Sequence, residues 1–313
     1  MTLPRRTIGD LSVSAVGLGC MPLSFEGMVD ERDRALATIH RALDLRITML
    51  DTSNIYAPTW DSVGHNEALV AEALRTYSGS ADLTGLLVTT KGGIVRGEGE
   101  TWGRDSHEDA LRRACEDSLA QLGVEVIDLY QHHRTDPTMT FAEQMAVIGR
   151  LKADGLILRI GLSNIDRVEL DLAVEMLGAP SEGGVVSVQN EYSPRYRRDA
   201  DVLDRCTELG IAFLPWSPLG GADQAHDIGS QYAAFAEVGT EIGATAQETV
   251  LAWLLAVSPS MIPIPGATRP ATVDSIVRAV SLELSPAQFA RLQATRPMDA
   301  SMYPDDQPRS PLR

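Results

Sequence analysis

Short runs rich in Leu, Ile and Val recur along the chain. They lie near 13–19 (VSAVGLG), 46–51 (RITMLD), 86–91 (LLVTTK), 126–131 (VIDLYQ), 157–162 (ILRIGL), 184–189 (GVVSVQ), 211–216 (IAFLPW) and 261–264 (MIPI). They are nearly continuous rather than alternating, as in strands covered on both faces. Between them the apolar spacing changes to three and four. "DRALATIHRALDL" (33–45) puts Leu36, Ile39 and Leu43 on one stripe, and 107–123 does the same with Leu111, Ala114, Cys115, Ser118, Leu119 and Leu122. Segments 140–155 and 166–178 repeat the helical period, and the last three segments end in glycine, a common stop. Ser106 and Asn164 are the short polar residues expected at two N-caps.

Eight strands alternating with helices predict a (β/α)8 barrel in one domain over 1–313, with an N-terminal hairpin and an irregular tail from 296. An open doubly wound sheet would want G-x-G-x-x-G after the first strand. "GLGCMP" has Gly17 and Gly19, but Pro22 stands where the third glycine belongs. The tail, "RPMDASMYPDDQPRSPLR", has the Pro- and Asp-rich composition of a disordered extension, and "GGADQAHDIGSQ" (220–231) reads as a loop. The N-terminus begins basic and ends apolar, but Asp10 and three glycines interrupt it, which speaks against a secretory signal. No run approaches the ~18 apolar residues of a membrane span.

The net charge is −16, from 27 basic and 43 acidic residues. This argues against nucleic acid or an anionic membrane as partner, though not against a small anion held by a local cluster. Cys20, Cys115 and Cys206 are too few and too widely spaced for a zinc site or a disulfide framework. A reducing cytoplasm is the simplest compartment, and a monomer the default.

A barrel of this kind carries its site at the C-terminal ends of the strands. There the chain places "DTSNIYAP" (51–58), "TKGG" (90–93), "QHHRTDP" (131–137), "GLSN" (161–164), "QNEYSP" (189–194), "PWSPLGG" (215–221) and "PIPGATRP" (263–270). Asp51, Tyr56, Lys91 and one of His132 and His133 are the titratable candidates. A phenol near pKa ~10 is a poor proton exchanger at neutral pH. A lysine ~4 Å away would favour the phenolate by ~4 kcal/mol at an effective dielectric near ~20, before desolvation pulls the other way. An aspartate would keep that lysine charged, and a neutral histidine could hydrogen-bond a substrate oxygen. The set suits proton transfer to or from a carbonyl or alcohol oxygen.

"GLGCM" (17–21), "DTSNIY" (51–56), "TTKGG" (89–93), "SLAQLGVEVIDLYQHHR" (118–134), "IGLSN" (160–164), "VQNEYSP" (188–194), "WSPLGG" (216–221) and "IPGATRP" (264–270) together resemble the aldo-keto reductase family, in its order and over about residues 5–295. The resemblance implies a (β/α)8 barrel that reduces aldehydes and ketones with NADPH. It makes Tyr56 the proton donor, with Lys91 and Asp51 tuning it. The family's imidazole lies five residues after the Asp of "DLY" and just before Arg, which selects His133. Strand alternation agrees that only one of the pair enters the site. Ser163, Asn164 and Gln189 match positions that bind the carboxamide, and Trp216 the ring stacked on the nicotinamide. Ser217, Leu219 and Gly220 match the pyrophosphate loop. Gly266, Thr268 and Arg269 match the loop near the 2′-phosphate, where guanidinium suits the geometry. Gly19, Cys20, Met21 and Asp51 complete the cofactor side, with Ser275.

The chain departs from the family at some of these positions. Ser275-Ile276 stands where many relatives carry a Glu-Asn pair at the adenine, and Gly266 replaces a lysine of some members. Met21 with Pro22–Met28, Trp60, Trp102 and the tail are expected to wall the substrate, a small carbonyl or alcohol. Two other functions stay open on the same barrel. One is a non-catalytic module sensing the cofactor, which loss of Tyr56 or Lys91 would favour. The other is a metal-dependent hydrolase using His132, His133 and Asp51. It would want H-x-H rather than adjacent histidines, and no metal-ligand spacing is seen.

Overall fold

The computed structural model of the protein describes residues 3–221, 224–304 and 309–313. The chain opens with an antiparallel hairpin, β1 (Arg5–Ile8) and β2 (Leu11–Ser14), turning at Gly9 with φ +57°. β3 (Leu18–Gly19), β4 (Met49–Asp51) and β5 (Leu87–Gly92) follow. A second hairpin, β6 (Ile94–Gly97) and β7 (Thr101–Arg104), interrupts them. Then come β8 (Ile127–His132), β9 (Ile157–Ser163), β10 (Val185–Gln189) and β11 (Ala212–Phe213). The parallel sheet runs β11-β10-β9-β8-β5-β4-β3.

The eighth position closes the barrel through single bridges rather than a full strand. Met261 bridges Phe213, and Gly266 bridges Gly19. Gly17 and Gly19 donate to the carbonyls of Pro263 and Pro265 at 2.9 and 3.0 Å. Pro263 and Pro265 have no N–H to give a ladder, so "MIPIPG" can only accept on those residues. The barrel expected from the alternation is therefore the fold, with the 261–264 run present as a bridged segment.

Strand alternation sorts the side chains. Met49, Leu87, Leu129, Val186, Ala212, Leu214, Ile262 and Ile264 fill the barrel interior, and Ile8 and Val13 of the first hairpin join them. A Cβ at Gly9 would lie 2.7 Å from Val186 Cγ1, so the hairpin turn seats directly against β10. The opposite faces pack under the helices, with Leu50, Tyr130, Leu162 and Val188 against Ile39, Val70, Leu111, Ile148 and Leu170. Each fully buried aliphatic side chain of this layer is worth about 1.5–3 kcal/mol.

Four expectations need correction. The run 13–19 is not one strand. Ser14 exchanges hydrogen bonds with Thr48 (2.8 and 2.9 Å), Ala15 N–H turns back to Pro4 O, and of this run Leu18–Gly19 is the part that pairs as a strand of the parallel sheet. Neither expected N-cap caps. The helix Glu108–Leu122 starts at His107 without a side-chain bond, and Ser106 instead holds His132. The helix Arg167–Leu177 is capped by Asp166, boxed with Glu169, and Asn164 turns away with φ +59°. Within 220–231, Ile228–Gln231 is a helical turn; residues 222 and 223 lie outside the described residues.

The tail is irregular, but its described part is docked rather than disordered. Phe141 and Ala142 N–H groups bond Pro311 and Leu312 carbonyls, Arg309 pairs with Glu169, and Ser310 is buried. Residues 305–308 lie outside the described residues, as do 1 and 2. Among the described residues no helix is long and apolar enough to cross a membrane.

Candidate active site

The inward positions of three successive strands turn polar at their C-terminal ends. In β4 the step Met49 to Asp51 keeps the same face. In β5 Leu87, Thr89 and Lys91 share it, and in β8 Leu129 and Gln131 do, with His133 next. Apolar packing in the interior thus sets the register that aims the polar ends into the mouth.

Lys91 is fully buried. Its Nζ donates to Asp51 Oδ2 at 2.8 Å, to Thr52 O at 2.8 Å and to Tyr56 OH at 3.1 Å, which uses all three ammonium hydrogens. Asp51 Oδ1 accepts from Thr89 Oγ1 at 2.7 Å, Gln189 Nε2 at 2.8 Å and Gln131 Nε2 at 3.3 Å. A buried ion pair is tolerable only when its remaining lone pairs are satisfied, and these contacts do that. Thr89 and Gln131 are site residues that the motifs do not single out, although alternation alone places both beside Asp51.

Burial, the largest influence on Lys91, pulls its pKa down. Asp51 and Tyr56 more than offset it, so the amine stays above its usual value and charged. Burial likewise dominates Tyr56 and raises it, opposed by the Lys91 charge and reinforced by Asp51. Charge proximity alone makes the lysine the stronger influence; desolvation outweighs it, and the phenol keeps its proton.

The two histidines part company. His133 is buried at the mouth, its ring edge-on to Tyr56 with centroids 6.0 Å apart, and its Nδ1 is 3.4 Å from Ser53 Oγ. Burial first, then the charges of Lys91, Arg134 and His132, hold it well below 6.5 and so neutral. His132 points into the helix layer, where its Nε2 meets Ser106 Oγ at 2.9 Å, and burial lowers it to about 4.

A second group gathers around Trp216. Its Nε1–H donates to Asn164 Oδ1 at 3.1 Å. Asn164 Nδ2 donates to His133 O at 2.9 Å and Ser163 Oγ at 3.0 Å, and Ser163 Oγ donates to Gln189 O at 2.7 Å. Ser163, Asn164, Gln189, Trp216 and His133 therefore form one connected rim. Beyond Trp216, Ser217 (φ +47°) and Gly220 (φ +80°) curl the 217–221 loop, with Gly220 N–H on Ser217 O and Leu219 half-buried. Such positive-φ turns leave backbone N–H groups on one side, a cradle for phosphate.

Gly19 and Gly266 meet across the barrel closure. A Cβ at Gly19 would lie 2.7 Å from Ile264 O, and one at Gly266 would lie 2.6 Å from Pro22 Cγ. The lysine that some relatives carry at Gly266 has no room beside Pro22 here. Cys20 is fully buried, its N–H on Asp51 O, and Met21 is half-buried beside it. Thr268 is half-buried. Arg269 is exposed at the N-cap of the helix Pro270–Val280, its Nε 3.3 Å from Thr272 Oγ1. Ser275 is half-buried; its Oγ donates to Glu248 Oε1 at 2.7 Å, where Arg278 also bonds.

These elements are those of a nicotinamide oxidoreductase barrel. The Aldo/keto reductase family model matches residues 15–296, and the chain belongs to that family. An uncharacterized oxidoreductase of Schizosaccharomyces pombe is 33% identical over 288 residues, covering 91% of this chain and 87% of that one. The pyridoxine 4-dehydrogenase of Escherichia coli is 31% identical over 290 residues, covering 89% and 93%. Among solved structures, an aldo-keto reductase from Klebsiella pneumoniae in complex with NADPH shares the fold, with a TM-score of 0.77, 23% identity and coverage of 95% and 96%.

Proposed function

We propose that the protein is an NADP(H)-dependent reductase of aldehyde or ketone carbonyls, able to run in reverse on alcohols, with Tyr56 as general acid. The contact of Lys91 Nζ with both Tyr56 OH (3.1 Å) and Asp51 Oδ2 (2.8 Å) at the barrel mouth carries this reading. The residues fit the cofactor: a half-buried indole anchored on Asn164, a glycine cradle at 217–221, and an exposed guanidinium at a helix N-terminus, where anions are favoured. The bound nicotinamide supplies the hydride.

The chain's own groups do the rest. Tyr56, protonated because it is buried, gives its proton to the developing alkoxide. The Lys91 ammonium stabilises the phenolate left behind, and Asp51 keeps that ammonium fixed between its partners. His133 is neutral; in the tautomer whose Nδ1 accepts from Ser53 Oγ, 3.4 Å away, its Nε2–H is free to orient the substrate oxygen. His133→Gln should lower kcat by ~10²-fold, as loss of one aimed donor does. His132→Gln should leave kcat within about twofold, because that ring faces Ser106. Steady-state kinetics of the two variants check this, and equal effects would sink the assignment.

Arg269 provides the 2′-phosphate contact. Arg269→Leu should weaken NADPH about tenfold or more and NADH by less than about twofold, in line with loss of one charge-assisted pair. Fluorescence titration with both cofactors reads it. The overall reading is tested by those titrations and a carbonyl panel followed at the nicotinamide absorbance band, including pyridoxal because the Escherichia coli relative is named for pyridoxine. No oxidation of NADPH with any carbonyl, and no binding, would overturn it.

The hydrolase reading has the weaker geometry. His132 and His133 face opposite sides of the strand. Among the described residues, the side chains close enough to share a cation are Asp105, His107 and Asp136, a set without Asp51 or His133.

A further inference from the structure

The tail lies across the barrel mouth on a path set by the loop after β10. Arg195 O accepts the N–H groups of both Met298 and Asp299 at 2.9 Å, and Arg195 Nε donates to Ala300 O at 3.1 Å. Asp299, at φ +53°, turns the chain, and its Oδ1 receives Arg197 N–H at 3.3 Å. Positive φ costs a non-glycine residue energy, so the turn persists only because neighbours hold it.

The next anchor is Glu191, two residues beyond β10 and bridged to Trp216. The residue is 3% exposed. It accepts Ser301 Oγ at 2.6 Å and the Met302 N–H at 3.1 and 3.2 Å. Burying a carboxylate is costly unless hydrogen bonds compensate it. These bonds come from the tail, so desolvation and docking are linked.

Downstream of that anchor the strap touches the functional rim. Met302 Cε sits 2.5 Å from where a Cβ of Gly221 would be, so the strap approaches the 217–221 loop through the missing side chain. The Tyr303 ring meets Trp216 at 5.8 Å, tilted 43°. Tyr303 O accepts from Arg134 Nη2 at 3.0 Å, next to His133. The strap thus spans from the loop after β10, over the loop after β11, to the loop after β8.

We infer that Glu191 is a positioning residue for substrate selection: its carboxylate latches residues 301–302, and that latch holds Tyr303 against Trp216 as a wall of the carbonyl site. The inference rests on the reductase reading. Glu191 touches neither cofactor nor substrate. It acts through Tyr303, and its loss should be felt by carbonyls large enough to reach that wall.

The test uses the full chain with 2-naphthaldehyde and propanal. Tyr303→Ala should raise KM for 2-naphthaldehyde ~10-fold, and leave propanal within about twofold, the scale of pocket contacts. Glu191→Gln and Ser301→Ala should move KM in the same direction. The double variant Glu191→Gln/Tyr303→Ala should match Tyr303→Ala alone, because both remove one wall. Additive effects, or an unchanged naphthaldehyde KM in Tyr303→Ala, overturn the inference. So does tighter NADPH binding in Tyr303→Ala with KM unchanged, since that would put the ring in the cofactor's space.

A readout without substrate separates this from failure of the reductase reading. Amide hydrogen exchange at 299–303 should speed up about tenfold in Glu191→Gln, with the barrel strands unchanged. Unchanged exchange overturns the latch even if reductase activity is plain. If exchange responds while no carbonyl is turned over by the parent protein, the reductase reading fails and the substrate-wall role fails with it.

Discussion

Tyr56→Phe should lose nearly all carbonyl reduction, by ~10³-fold or more in kcat, while NADPH binding stays within about twofold. Positioned proton transfer contributes ~10²–10⁴-fold, and no neighbouring group can replace the phenol. Lys91 is charged but committed to Asp51, Thr52 and Tyr56, and His133 is neutral because burial and three nearby cations or imidazoles oppose its protonation. The ring itself stays, so packing against His133 and the cofactor side are spared. The pH dependence follows from the same environment. The Tyr56 pKa is raised above 10.0, chiefly by burial, so the donor form is full through neutral pH. Reduction should therefore be level across neutral pH as far as this group is concerned, and fall only on the far alkaline side as the phenol ionises. A Tyr56→Phe variant as fast as the parent chain would contradict the role, and so would a parent rate that starts to drop well short of the alkaline range where a buried phenol ionises.

Lys91→Met is expected to be damaging in two separate ways. It removes the cation that stabilises the phenolate; at ~3–4 Å and an effective dielectric near ~20 that interaction is worth ~4 kcal/mol, or ~10³-fold in rate. It also strands Asp51, a buried carboxylate whose charged partner is gone, although Thr89, Gln131 and Gln189 still donate to it. Breaking a buried pair from one side costs about 3–5 kcal/mol, and the retained donors put the expectation near the lower figure. The midpoint of urea unfolding should fall accordingly, while circular dichroism keeps the barrel signal. The alkaline limb of any residual activity should move upward, because Lys91 is what holds the Tyr56 pKa down against burial. Lys91→Met with unchanged stability would mean that Asp51 does not depend on this ammonium.

Much of the barrel is readable because its strands are buried on both faces. Runs such as LLVTTK and VIDLYQ are too apolar and too short to be anything but inner strands between amphipathic helices. Expectation and structure part where a side chain has two possible employers. Ser106 is a good N-cap by type, yet His132, buried with few partners, takes its hydroxyl. Asn164 is also a good cap by type, yet it binds His133 O, Ser163 and Trp216, while Asp166, two residues on, boxes with Glu169. Local propensity cannot rank such claims, since the rival partner lies tens of residues away. The tail departs from expectation for a related reason: its composition is that of a disordered segment, but Glu191, Arg195 and Gln144 supply specific partners.

By itself the sequence determined the alternation of strands and helices, the family, and which residue types gather at the strand ends. It also limited the histidine pair to one inward member, because adjacent side chains on a strand face opposite ways. Tertiary structure decided the rest. It set Lys91 among Asp51, Thr52 and Tyr56, let burial outweigh the lysine in the acidity of the phenol, paired Ser275 with Glu248, and brought a C-terminal strap back over Trp216. The physical reason is common to all four. Desolvation and hydrogen-bond partnership depend on which distant groups share a small volume, and a one-dimensional pattern carries the periodicity of a chain but not that proximity.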